Sequence, residues 1–209
     1  PEAFFGVGST PILEGDKLIV MLGGQPNSGV VALDAATGKT VWENVGKTNW
    51  QGVVTTGWRR EEPYQWTGLE KSASYASPVA ATIHGRRHIL CVMRQGLVSV
   101  NPTNGEVNFS HWFQSLANDS VNAIGPIVQD DLVLISAAYY RIGAELLRVR
   151  PDGKSVEQVW RQPAQIPNSL PAIRATPPQP LEIHWNMPVL HEGFLYAFSG
   201  RDEPDAQFN

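Results

Sequence analysis

Cysteine is nearly absent. The 209-residue chain holds one, Cys91, so no internal disulfide frames the fold. Flanked by Ile89-Leu90 and Val92-Met93, it reads as a small buried hydrophobe rather than a reactive thiol. Charge is sparse: 17% of residues are charged, with 16 Lys and Arg against 20 Asp and Glu, for a formal net charge of -4. No basic block exceeds the pairs Arg59-Arg60 and Arg86-Arg87, so the stripe needed to bind nucleic acid is missing. No apolar run approaches the length that spans a bilayer, so no membrane span is expected. No charged segment followed by an apolar one marks a targeting signal. The chain opens Pro1-Glu2-Ala3 rather than with Met, and reads as a processed chain or an excised piece. The full Gly-x-x-x-x-Gly-Lys-Ser/Thr pattern of a phosphate loop, a nucleophile elbow and a His-Glu-x-x-His motif do not occur. No segment carries a capped, 3.6-residue apolar stripe, so long helices are not expected.

Glycine and proline, by contrast, are plentiful: 19 and 16 residues, 35 of 209. Both are poor helix formers, and together with 42% hydrophobic residues they indicate a turn-rich β chain with a real core. Overlaying the chain on itself shows why. A first copy runs Ser9-Thr10-Pro11-Ile12, Gly15-Asp16, Leu18 to Val20, Gly29 to Asp34, Thr37-Gly38-Lys39 and Val41-Trp42. A second runs Ser77-Pro78-Val79, Gly85-Arg86-Arg87, Ile89 to Met93, Gly96 to Asn101, Asn104-Gly105-Glu106 and Val107 to Phe109. The third is Gly125-Pro126-Ile127, Asp130-Asp131, Leu132 to Ser136, Glu145 to Val149, Asp152-Gly153-Lys154 and Val159-Trp160. A fourth begins at Asn186-Met187-Pro188-Val189, turns at Glu192-Gly193, runs Phe194 to Phe198 and stops. The spacing is regular: Pro11 to Trp42 and Pro78 to Phe109 are 31 residues each, and Pro126 to Trp160 is 34.

Each copy reads as four short strands. The first carries a Pro near its start, where a missing N–H is tolerated. The second is a nearly continuous apolar run, the mark of a strand covered on both faces. A tight turn that needs positive φ precedes the fourth, which ends in an aromatic residue. A unit of about 40 residues that buries both faces must stack on copies of itself, which is a β-propeller blade. A sandwich is the rival, but its strands would not repeat one template. Residues 9–44, 73–113 and 120–162 are expected as blades, 45–72 as an insertion, 163–181 as a proline-rich extended connector and 182–201 as a partial blade.

The run Ala32-Leu33-Asp34-Ala35-Ala36-Thr37-Gly38-Lys39-Thr40-Val41-Trp42 resembles the repeat of the pyrroloquinoline-quinone (PQQ)-like propellers. The second copy keeps Asn101-Pro102-Thr103-Asn104-Gly105-Glu106 and closes on Phe109; the third keeps Asp152-Gly153-Lys154 and Trp160. The resemblance implies an all-β propeller of four-stranded antiparallel blades, about three and a half of them present, within a seven- or eight-bladed ring. It implies that Trp42, Phe109 and Trp160 pack between neighbouring blades. It also implies a periplasmic or extracellular location, with the remaining blades of a parent chain or a protein partner as neighbours. The family is split in function. Some members are quinoprotein alcohol and glucose dehydrogenases that hold PQQ over a tryptophan floor with a Ca²⁺ ion and a catalytic Asp, often beside a vicinal Cys-Cys disulfide. Others are cofactor-free scaffolds, such as the propeller lipoprotein of the bacterial outer-membrane assembly machine. With one cysteine the disulfide is excluded here, and no floor motif is placed. The leading expectation is a non-catalytic scaffold or interaction surface with no cofactor. PQQ and Ca²⁺ enter only if the chain is part of a quinoprotein oxidoreductase, and a carbohydrate- or polymer-binding propeller is a further alternative.

Two groups of residues are candidates for a site. Aligned on the repeat prolines, the positions just before the innermost strands hold Ser74, Asn122 and His184, with Tyr75 and Trp185 beside them. They read either as a ligand-binding column at the propeller axis or as a solvated funnel wall. The insertion carries Trp50, Trp58 and Trp66, three of the seven tryptophans, with Arg59. Aromatic residues with Arg are typical of binding surfaces, so the insertion reads either as a ligand-binding lid or as a small satellite core. His84-Gly85-Arg86-Arg87-His88 lies in a hairpin turn and lacks a third nearby zinc ligand. Asn118-Asp119-Ser120 fits a glycosylation pattern, relevant only in a eukaryotic secretory setting.

Overall fold

The structure, a computed structural model, describes residues 8–22, 29–45, 54–56, 63–65, 75–114, 121–167, 169–200 and 207–208. Its framework is three four-stranded antiparallel sheets. The first holds β1 (Ile12–Glu14), β2 (Lys17–Met21), β3 (Val30–Asp34) and β4 (Thr40–Asn44) in sequence order. A short pair, β5 (Val54–Thr56) and β6 (Pro63–Gln65), follows it. The second sheet is β7 (Val79–Ile83), β8 (Arg86–Met93), β9 (Gly96–Val100) and β10 (Val107–Trp112), and the third β11 (Ile127–Gln129), β12 (Leu132–Ala137), β13 (Gly143–Val149) and β14 (Val156–Gln162). The hairpin β15 (Val189–His191) and β16 (Phe194–Tyr196) begins a fourth unit, and β17 (Phe198–Ser199) pairs with β18 (Gln207–Phe208).

Local chemistry sets these boundaries. Pro11, Pro78, Pro126 and Pro188 each stand immediately before a first strand, where no ladder donor is lost. The first hairpins turn through His84-Gly85, with φ of 49° and 73°, and Glu192-Gly193, with φ of 48° and 81°; two consecutive positive φ values are the signature of a type I′ turn. Ahead of the fourth strand, the Asp34 carboxylate accepts from both the Thr37 N–H and the Thr37 hydroxyl at 2.7 Å. The equivalent side chain Asn101 accepts from the Thr103 N–H at 2.9 Å.

One device recurs in all three sheets. The fourth strand slips by one residue directly before its closing aromatic: Val41, Asn108 and Val159 have no partner in the register, whereas Trp42, Phe109 and Trp160 do. Such a bulge bends the strand and re-aims the next side chain.

The sheets stack face to face as propeller blades. Along β8, Ile89, Cys91 and Met93 pack with Ile19, Met21, Ala32 and Trp42 of the first sheet. The alternate residues Leu90 and Val92 pack with Val133, Ile135 and Leu147 of the third. A strand with both faces covered is what its unbroken apolar run requires. Cys91 lies fully inside this stack, and burial pushes its thiol pKa up to about 12, so it stays protonated and inert.

Trp42 and Phe109 sit in the seams between blades, and Trp160 lines the groove that separates the third blade from the β15–β16 hairpin. Burying a tryptophan contributes roughly 2–3 kcal/mol by area. Trp42 also donates from Nε1 to the Pro102 carbonyl at 3.0 Å. Its ring lies on Gly105, where an added Cβ would come within 2.4 Å of Cε3. The glycine of one blade's turn is therefore needed both for its φ of +73° and to admit the neighbour's tryptophan.

The connector after the third blade departs from the expected extended form: α1 (Leu170–Ala175) interrupts it. Ser169 caps it by accepting from the Ala172 N–H at 3.2 Å, and Pro171 lies in the first turn, where its missing donor costs nothing. Ordinary capping thus overrides the proline-rich composition over six residues.

Candidate functional site

Four antiparallel strands in sequence order put their connections at two ends. The first and third turns of every blade lie at one end. The middle turns, together with the segments that lead into each first strand, lie at the other. The predicted column residues belong to this second end, and there the structure gathers an aromatic cluster. Tyr75, ahead of the second blade, meets Trp185, ahead of the fourth unit, edge to face, with centroids 6.4 Å apart and an interplanar angle of 67°. His184 lies 4.5 Å from the Trp185 ring and 5.1 Å from Tyr139, the latter at 77°. Tyr140 follows at 5.9 Å from Tyr139.

The segment carrying His184 and Trp185 is held from below. The Ser136 hydroxyl donates to the Leu181 carbonyl and accepts from the Ile183 N–H at 3.0 Å. The Gly200 N–H donates to the Glu182 carbonyl at 2.8 Å. On the same side as His184, Arg141 Nη1 donates to Glu182 Oε2 at 2.6 Å. Glu182 is 1% exposed, and its other oxygen, Oε1, has no hydrogen-bond partner among the described residues. Burial raises the Glu182 carboxyl above the ordinary glutamate range, while Arg141 pulls it in the opposite direction.

Tyr139, Tyr140 and Arg141 come from the middle turn of the third blade, whose backbone is strained. Tyr140 has φ 55° and Arg141 φ 60°, both in the left-handed region that side chains avoid. Each such residue costs of the order of 1–3 kcal/mol, and such costs concentrate at functional sites.

The remaining column residues behave differently. Asn122 is buried, and its amide donates to the Met93 carbonyl at 2.8 Å, with contacts of 3.4 Å to the Arg94 and Phe113 carbonyls. Its amide donors tie the second blade's turn to the strand leading into the third. Ser74 lies outside the described residues, as do Trp50, Trp58, Arg59 and Trp66 of the insertion.

Sequence reasoning missed Tyr139, Arg141 and Glu182. Tyr139 and Arg141 stand in a middle turn, residues 138–142, that is longer than the Arg94-Gln95 turn of the second blade. Glu182 left no signal beyond standing two residues before His184.

A second polar group bridges the second and third blades at this end. Glu145, 1% exposed, accepts from Arg161 Nη1 at 2.6 Å, and its other oxygen lies 3.1 Å from His111 Nε2. The Arg161 guanidinium stands 5.3 Å from the centre of the Phe113 ring.

A Ca²⁺ ion fits the buried acids at this end poorly. Calcium takes six to eight oxygens from carboxylates, carbonyls and water. The buried acids Glu145 and Glu182 each face a guanidinium at 2.6 Å, which opposes a cation. Among the described residues no three His, Cys, Asp or Glu side chains gather as metal ligands. No helix there is long and apolar enough to cross a membrane.

Comparison with known proteins supplies one family. The sequence profile described as outer membrane protein assembly factor BamB, a PQQ-repeat family, matches residues 6–176, most of the chain. No curated protein matches it.

Proposed function

The chain belongs to the PQQ-repeat propeller family of outer membrane protein assembly factor BamB, and from that premise we propose that it is a non-catalytic propeller scaffold presenting a protein-interaction surface outside the cytoplasm. The observation that carries this reading is how the polar groups at the site end are used. Asn122 holds neighbouring backbone, and Glu145 and Glu182 hold arginines contributed by the third blade. These contacts fix segments to one another. Among the described residues, Asn122, Glu145 and Glu182 are thus engaged by neighbouring groups rather than poised as bases beside an open reaction space, the arrangement that proton-transfer catalysis needs. The family's assembly-factor description supports a role in holding other proteins and an extracytoplasmic location.

The test is reconstitution with PQQ and Ca²⁺, followed by quinone absorbance and dye-linked alcohol oxidation. The expected result is neither bound quinone nor turnover. Stoichiometric quinone binding would overturn the scaffold reading in favour of a quinoprotein oxidoreductase.

A further inference from the structure

We infer that Met187 is a site of reversible oxidation to the sulfoxide, and that this change tightens the junction between the third blade and the fourth unit. The place of its sulfur in the repeat points to this. Thr10, Ser77, Gly125 and Met187 each stand immediately before a strand-opening proline and so occupy one position of the repeat. Between the first and second blades, the Thr10 N–H donates to the Ser77 hydroxyl oxygen at 3.0 Å. Between the third blade and the fourth unit, the Gly125 N–H donates to Met187 Sδ at 3.2 Å. At both junctions a backbone donor of one unit meets the corresponding side chain of the next. An oxygen fills the acceptor place at the first junction, and a thioether sulfur, a weak acceptor, fills it at the other.

Access singles out the same residue. The sequence holds three methionines. Met21 and Met93 are 0% exposed, whereas Met187 is 51% exposed. Cys91 is fully buried and protonated, so it does not compete for an oxidant. A peroxide therefore reaches Met187 first. The sulfur lone pair attacks one oxygen of hydrogen peroxide, the O–O bond breaks and an S–O bond forms. Sulfur loses two electrons, and the second oxygen leaves as water once a proton has shifted onto it. The new oxygen is polar and accepts more strongly than the sulfide did. It converts the N–H···S contact at Gly125 into N–H···O, the contact that Thr10 and Ser77 already make. The unbranched, half-exposed side chain has the freedom to withdraw its sulfur and admit the extra atom.

The inference goes beyond the scaffold reading and stands without it. The experiment treats the folded, ¹⁵N-labelled chain with hydrogen peroxide. Peptide mass mapping then follows each methionine, and amide NMR follows hydrogen exchange at Gly125. Met187 is expected to gain one oxygen at least about tenfold faster than Met21 or Met93. Exchange of the Gly125 amide should then slow by about threefold, the effect of strengthening one hydrogen bond by a fraction of a kcal/mol. Methionine sulfoxide reductases, one for each sulfoxide epimer, should restore the starting exchange rate.

Met187→Leu should keep the melting temperature, because the side chain is half exposed, and should abolish both the fast oxygen gain and the response of Gly125. Met187→Gln places an amide oxygen near the same position and should slow Gly125 exchange with no peroxide added. Equal oxidation rates at the three methionines would overturn the site. Gly125 exchange that is unchanged or faster once Met187 is oxidised would overturn the tightening.

Discussion

The seam between the first and second blades buries mainly hydrocarbon, and the seam between the second and third adds buried histidine and ionic groups at the two ends of a hydrocarbon core. In the first, Trp42 lies on Gly105 and donates to Pro102, surrounded by Ile19, Met21, Ile89 and Met93. In the second, the equivalent aromatic is the smaller Phe109, and the buried His88 stands beside it with ring centroids 6.1 Å apart. His88 Nδ1 pairs with the Ser99 hydroxyl at 2.8 Å, and Gly153 of the next turn faces His88 as Gly105 faces Trp42. His111, Glu145 and Arg161 close the other end of the same seam. The geometry of the repeat is the same; the chemistry inside it differs. An apolar seam stabilises through area and tolerates changes of pH, whereas a polar seam depends on keeping every buried charge and donor matched.

Removing the seal of the apolar seam should have the largest effect. Trp42→Ala leaves a cavity against Gly105 and strands the Pro102 carbonyl, and should cost about 4 kcal/mol in urea denaturation. A loss below about 1 kcal/mol would show that the blades hold together without their closing aromatic. Next comes the polar seam. Glu145→Ala leaves the Arg161 guanidinium, 7% exposed, without its carboxylate, and should cost about 3 kcal/mol. Replacing both by leucine should recover most of that loss, because a buried ion pair is readily matched by apolar residues of similar size. If the double variant is no more stable than Glu145→Ala, the pair contributes through something other than matched charge.

The difference between seams was only partly legible in the sequence. The continuous run from Ile89 to Met93 announced a strand with two covered faces, because nothing polar interrupts either parity. The strand-opening prolines and the turns at Gly38, Gly105 and Gly153 were legible because their backbone geometry demands particular residues. The bulges at Val41, Asn108 and Val159 were not, since a one-residue slip has no composition of its own. In the site, alignment on the prolines put Asn122 and His184 at one position and Tyr75 and Trp185 at the next; the rings of Tyr75, His184 and Trp185 meet, whereas the Asn122 amide serves the backbone. Glu182 and Arg141 were invisible because their pairing joins a connector to a turn 41 residues away in sequence.

The seams should also separate by pH. Burial lowers the His88 pKa, and Arg86 and His84 act in the same direction, so folding favours the neutral ring. The unfolded chain then binds more protons. Stability from this residue is present in full above about 6.5, the ordinary histidine value, and is lost as pH falls toward the lower folded value. Melting temperature should therefore drop between pH 7 and pH 5, and His88→Phe should flatten that slope while Trp42→Phe leaves it intact. An unchanged slope in His88→Phe would remove His88 as its cause.

The smallest effect belongs to a contact on the outside of the apolar seam. Arg87 grips Glu14 across the first and second blades, with Nε to Oε1 and Nη2 to Oε2 both at 2.7 Å. The Arg87 guanidinium holds the Glu14 carboxyl below the ordinary glutamate range. A lowered carboxyl stabilises the fold above about pH 4.3, and the contribution is lost as pH falls further. Solvent screens it, because the Arg87 side chain is 42% exposed, so Glu14→Gln should cost under about 1 kcal/mol at low salt and less in molar salt. A loss above about 2 kcal/mol, insensitive to salt, would mean that the apolar seam relies on an external charge clamp as the polar seam relies on its internal ones. The contrast between the two seams would then fail. A small, screenable loss leaves it standing, with the area around Trp42 as what holds the first two blades together.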